Sequence, residues 1–210
     1  MKKRILLRAP LLSLSGYGIH SRQVFQWLET LPDVDLDVEV LKWGQTTWLV
    51  NPDIENGLVG RIMSKATELK PPYDYSFQLQ LPDEWDATLA KKNIGISAYV
   101  ETNKCSQKWI EKSNEMDAII VPSTFTRNVV KRSGVLKTKI TVVPEWYNDR
   151  IDHENKPLDL GLECDFNYLM IGTITAPTAE DDRKNIFNGI KWFCERFRDN
   201  KKVGLVIKTN

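Results

Sequence analysis

Four short stretches of the sequence place residue types at spacings that could do chemistry. The first is Ser15-Gly16-Tyr17-Gly18-Ile19-His20-Ser21, between an apolar run and an amphipathic one. Glycines at such a junction let the backbone turn tightly and approach a ligand, and the helix start that follows offers free N–H groups to an anion. The competing reading is a plain tight turn, with His20 as a surface or capping residue. The GxGxxS spacing only approximates the dinucleotide fingerprint, and no clean acidic partner follows about 20 residues later. The second stretch, Ala98 to Asn103, puts Glu101 and Thr102 at the carboxyl end of an expected strand. Ligands of open α/β sheets sit beyond such ends, so a Glu-Thr pair there could bind hydroxyls or act as a base. A solvated loop carboxylate is the plain alternative.

The third stretch pairs Val121-Pro122-Ser123-Thr124-Phe125-Thr126 with Val142-Val143-Pro144-Glu145. Each follows an apolar strand with a proline that ends ladder pairing, so most of these residues read as turn and cap chemistry. The fourth is Gly172-Thr173-Ile174, followed at the next helix start by Arg183-Lys184-Asn185. Cations near a helix N-terminus oppose the helix dipole unless an anion sits between them and the backbone N–H groups. That mismatch points to a phosphate; a solvated basic pair is the alternative.

The elements that must position these residues alternate short apolar strands with amphipathic helices, the pattern of parallel strands joined by helical crossovers. Strands are expected at Arg4–Arg8, Leu36–Leu41, Tyr75–Leu81, Ile94–Val100, Asp117–Val121 and Ile140–Val143. Leu36–Leu41 alternates as an edge strand would, and Asp117–Val121 reads as fully buried. Helices are expected at Ile19–Glu29, Gly57–Ser64 and Gln107–Asn114, with a further start at Ser123 or Thr124. Glu145 to Asp165 is polar and without an apolar period. A strand at Phe166–Ile171, a helix at Lys184–Phe197 and a strand at Val203–Ile207 then form one β-α-β unit. The expected organisation is a Rossmann-like domain over 1–146, a linker over 147–165 and the start of a second α/β domain over 166–210.

Composition limits what these elements can serve. The 29 Lys and Arg against 28 Asp and Glu leave a net charge of +1 in 210 residues, which disfavours a nucleic-acid binder. A 41% hydrophobic content supports a packed core. No apolar run approaches the roughly 20 residues of a membrane helix, and the basic, apolar start lacks a signal-peptide cleavage site. Three widely spaced cysteines, Cys105, Cys164 and Cys194, fit neither a disulfide framework nor a metal clasp. The expected setting is the cytoplasm. With two histidines in the chain, a metal site is not expected.

Taken in order, the glycine turn after the first strand, the Glu101-Thr102 pair, the segment Val121 to Val135, Ile140 to Glu145, and Ile171 to Thr173 with Arg183 to Asn185 resemble the GT-B glycosyltransferases. The resemblance is strongest to glycosyltransferase family 4, runs from about Ile5 to Lys208, and is weakest from Trp43 to Asp86. It implies two Rossmann-like domains facing a cleft, with a nucleotide-sugar as donor substrate and a glycan or other hydroxyl as acceptor. It implies that Gly16, Gly18 and His20 line the cleft near the reacting sugar and that Glu101 and Thr102 stand on the acceptor wall. Arg183 and Lys184 match the basic positions that hold the donor diphosphate. It implies no metal and no separate cofactor for a transfer of the retaining type.

Trp146 stands where the family often has glycine, and the stretch from Thr173 to Arg183 is longer and more acidic than usual. The family's donor-site carboxylate motif is absent. The expectation is therefore a truncated or split transferase with little activity alone, to which a partner chain could supply the remaining half. The alternative is a non-catalytic glycan-binding or scaffold protein derived from a glycosyltransferase, with tryptophans such as Trp43, Trp48 and Trp146 stacking on sugar rings. A small Rossmann oxidoreductase is disfavoured by the imperfect glycine fingerprint.

Overall fold

The computed structural model describes residues 2–66, 69–100, 102–147 and 159–209, and the chain divides into two compact units, Met1–Asn148 and Asp149–Asn210. In the first unit, β1 (Lys3–Ala9), β2 (Val34–Val40), β3 (Tyr73–Leu79), β4 (Ala90–Ile96), β5 (Ala118–Val121) and β6 (Lys139–Val142) form one sheet. Every pairing is parallel, in the order β2-β1-β3-β4-β5-β6. This is a Rossmann-like α/β sheet.

Each strand's sequence explains its place. Ile5, Leu6, Leu7 and Ala9 of β1 are all buried, the continuous apolar run of a strand covered on both faces. β2 buries only Leu36 and Val38 and lies at the edge, as its alternation predicts. Its acidic residues face arginines of β1: Asp37 lies 3.4 Å from Arg4, and Glu39 lies 2.9 Å from Arg8. β3 carries buried Ser76 and Gln78, whose polar atoms are satisfied locally. Ser76 Oγ donates to Asn93 Oδ1 at 2.7 Å and Gln78 Nε2 to the Asp86 carbonyl at 2.6 Å. Next to them Trp85 lies flat on β4, and a Cβ on Gly95 would stand 2.6 Å from its ring. Only glycine lets the indole approach there.

Four helices flank this sheet: α1 (Gly16–Thr30), α2 (Ile54–Lys65), α3 (Gln107–Glu115) and α4 (Thr124–Ser133). Phe25 and Leu28 of α1 join Leu58, Val59 and Ile62 of α2 in one core with β1 to β3. Ile110 of α3 and Val130 of α4 join Trp85, Tyr99, Ile119 and Val121 in another. Ser123 caps α4 by accepting the Thr126 N–H at 3.1 Å.

Several expectations are corrected. α1 begins at Gly16 instead of Ile19, because Ser15 caps it by accepting the Gly18 N–H at 3.0 Å, so both glycines lie in the first helical turn. β3 and β4 each run earlier than the apolar residues suggest. β4 begins at Ala90, where Lys92 and the Asn93 N–H engage Asp117, and its last strand residue is Ile96. β5 is half-buried in alternation instead of fully buried.

In the second unit, β7 (Phe166–Ile171), α5 (Ile186–Phe197) and β8 (Val203–Lys208) form a parallel β-α-β unit. Tyr168 packs on Phe193 and Phe197 of the helix at ring separations of 5.8 and 5.6 Å. Leu169 and Ile171, on the other side of β7, are exposed. Residues 159–165 ahead of β7 carry no regular structure. The helix begins two residues later than Lys184, because Asn185 takes a left-handed conformation at φ 56°.

Candidate functional site

In the order β2-β1-β3, the chain first builds outward from β1 and then crosses to its other side, so β1 and β3 mark the point where strand order reverses. A crevice beyond the carboxyl ends of the strands at such a point is where open α/β sheets bind ligands. The β1-to-α1 turn and the start of α1 stand there.

This turn is rigid. Ser13 is buried; its hydroxyl donates to the Pro10 carbonyl at 3.0 Å and lies 2.7 Å from the Ser15 hydroxyl. Arg22, 3% exposed, donates to the carbonyls of Leu11 and Ser13 at 2.9 and 3.1 Å and to Glu55 at 2.8 Å. A buried guanidinium thus consumes the carbonyls that the sharp turn would otherwise orphan. Gly18 is required by the same packing: a Cβ there would stand 2.1 Å from the Ser13 carbonyl oxygen. Gly16 differs, being exposed with open space beyond its Cβ position. Of the two glycines, Gly16 leaves the backbone at the helix start open to an approaching group.

Tyr17 and His20 follow on α1. The Tyr17 hydroxyl lies 2.9 Å from Ser97 Oγ and accepts the Ala98 N–H at 3.2 Å, joining α1 to the exit of β4. Its ring stacks on Trp43, from the loop after β2, at 4.2 Å. Burial raises the phenol's pKa above its ordinary value, so it is a neutral hydrogen-bonding group. His20 Nδ1 lies 3.5 Å from Glu145 Oε1, from the segment after β6. Burial lowers the imidazole's pKa, and the Glu145 carboxylate opposes that shift in part. The result is an imidazole that is neutral at pH 7, able to accept or donate a proton, beside a carboxylate and a helix start. That combination suits a hydroxyl-bearing ligand with an anionic portion.

The other sequence candidates are placed differently. Thr102 is exposed and lies six residues past the end of β4, where its hydroxyl donates to the Lys104 carbonyl at 3.1 Å. Among the described residues no hydrogen bond joins Thr102 to His20 or the glycines. Glu101 lies outside the described residues. In the second unit, Arg183 and Lys184 are exposed, and the carboxylate that accepts N–H groups at the helix start is the protein's own. Buried Asp182 accepts the N–H groups of Lys184 at 3.3 Å and Ile186 at 2.7 Å, and both the N–H and hydroxyl of Thr175. Burial alone would raise this carboxyl's pKa; the hydrogen bonds from Thr175, Ile186 and Lys184 outweigh it and hold the pKa at about 2.

Sequence reading missed Tyr17, Ser97, Arg22, Asp182 and the pairing of Glu145 with His20. Only Arg22 carried a local signal, a charge on the helix face that also bears Phe25. Among the described residues no cluster of three or more His, Cys, Asp or Glu could hold a metal ion, and no helix is long and apolar enough to cross a membrane.

No protein-family model matches the chain, and no curated protein matches it. Among solved structures, the chain is similar to the crystal structure of Anabaena Alr3699/HepE in complex with UDP. The likeness has a TM-score of 0.43 and 11% identity, covering 99% of this chain and 69% of that one.

Proposed function

We propose that this protein is a glycosyltransferase-type protein that engages a nucleotide-sugar donor and a hydroxyl acceptor, with the β1-to-α1 exit of the first unit meeting the reacting sugar. One observation carries the reading: an open helix start at Gly16 and the His20–Glu145 pair share one turn of α1, at the strand-order reversal of a six-stranded parallel sheet. The order of motifs that resembles family 4 supports it, as does a second parallel β-α-β unit after the first. In this reading the N–H groups at the start of α1 face the donor's anionic part, and His20 faces a sugar or acceptor hydroxyl. In the second unit, taken by itself, Arg183 and Lys184 offer basic side chains to a diphosphate. Transfer needs both substrates aligned, so binding is the first thing to measure.

A specific observation favours a second reading, a glycan-binding protein without transferase activity. Asp182 already occupies backbone N–H groups at the start of α5 that a donor diphosphate would use. Calorimetric titration with nucleoside diphosphates, nucleotide-sugars and neutral oligosaccharides separates the two. Saturable nucleotide-sugar binding supports the transferase reading; oligosaccharide binding without nucleotide binding supports the second; binding of neither contradicts both.

A further inference from the structure

His20, Gln23 and Trp27 recur at helical spacing and share one stripe of α1. The segment that leaves β6 lies along this stripe. Glu145 meets His20 at 3.5 Å, and Gln23 Nε2 donates to the Trp146 carbonyl at 2.7 Å. The Trp146 side chain then lines a groove of about 560 Å³ with Gln26, Trp27, Glu29, Thr30 and Arg61. The polar wall of that groove is already neutralised, since Arg61 donates to Glu29 at 3.1 Å. Two adjacent residues, Glu145 and Trp146, are therefore held to one helix by the Gln23 hydrogen bond and by a His20–Glu145 contact that becomes an ion pair when His20 is protonated.

We propose that His20 and Glu145 form a proton-controlled latch that seats the Glu145–Trp146 segment on α1. Among the described residues, the charged group facing the imidazole is the Glu145 carboxylate, from the segment after β6; the Tyr17 phenol one turn earlier on the helix is turned to Ser97 and Ala98 and is neutral. Protonating His20 places a positive charge against Glu145 and tightens the seat; deprotonation leaves the Gln23 hydrogen bond to the Trp146 carbonyl to hold it. The same imidazole borders the open start of α1, so a ligand that changes its protonation also changes how firmly this segment is held. The latch stands on first-unit geometry alone, whether or not sugar transfer is the function.

The test is an NMR pH titration of the full chain, following the His20 Cε1–H and the Trp146 indole N–H. His20→Gln and Trp146→Phe assign the two signals, and the chain holds just two histidines. In the unaltered protein the Trp146 indole signal should move with the same midpoint as His20. In Glu145→Gln, a near-isosteric change at a half-exposed side chain, the imidazole midpoint should fall and the Trp146 response should be lost. A Trp146 signal that stays flat through the His20 titration, or that titrates identically in folded Glu145→Gln, overturns the latch.

Discussion

The exits β1 to α1 and β7 to α5 look alike in sequence: a strand, glycine and polar residues, then a helix near which charge or histidine gathers. In structure they solve the helix-start problem in opposite ways. At α1 the cap is a neutral serine, the turn behind it is clamped by buried Arg22, and the backbone at Gly16 stays open. At α5 the protein supplies its own anion, Asp182, and the basic residues beside it are exposed. A basic pair at a helix start therefore indicates an anion without saying whose it is. An internal carboxylate satisfies the same electrostatics as a bound phosphate.

Substitutions at the two exits test this difference. Arg22→Ala should destabilise the first unit by about 3–5 kcal/mol in urea unfolding, because two turn carbonyls and Glu55 lose a buried partner. Gly18→Ala should cost about 3 kcal/mol or prevent folding, since its methyl meets a backbone oxygen that has no room to yield. Gly16→Ala should be neutral or stabilising by up to about 1 kcal/mol, the helix-propensity gain at an open position. Equal costs at the two glycines would remove the distinction between a packing glycine and an open one.

Tyr17→Phe should cost about 1 kcal/mol, the usual effect of losing a hydrogen bond to a partly buried N–H. At the other exit, Asp182→Asn should loosen the loop from Thr175 to Ile186, seen as faster amide exchange at Lys184 and Ile186. The Asp182 carboxyl's folded pKa of about 2 lies below its ordinary value, so its contribution is present above about pH 4 and is lost as pH falls through about 2. At His20 burial outweighs the attraction of Glu145, so overall stability depends on acid in the opposite sense from a histidine whose ion pair raises its pKa. The folded pKa of His20 is depressed, so the unfolded chain binds more protons below the ordinary value of 6.5, and stability should decline as pH falls through that range. His20→Gln should flatten that slope.

Much of the fold was legible because burial writes itself locally. β7 falls at its expected residues, and β2 sits at the edge its alternation implied. The boundaries that moved did so for reasons outside the local pattern. Gly16 and Gly18 read as a turn ahead of a helix starting at Ile19, yet the Ser15 cap brings both into α1. Ser97 to Val100 is as apolar as a strand end, but the Ser97 hydroxyl serves Tyr17, 80 residues away, and Tyr99 turns back at φ 57°. The site was half-legible for the same reason. His20 and the glycines could be picked out by type and position, whereas the contact of His20 with Glu145 joins residues far apart in the chain and leaves no spacing to read.

In the proposed function the β1-to-α1 exit of the first unit is where a sugar-bearing ligand meets the protein. Amide and imidazole NMR shifts recorded while a nucleotide-sugar panel is titrated into the full chain test it most directly. The predicted result is that one donor moves the Gly16 and Tyr17 amides and the His20 imidazole together, saturably and with one midpoint. Saturable binding that leaves those three signals unmoved, or no binding by any donor, would contradict it.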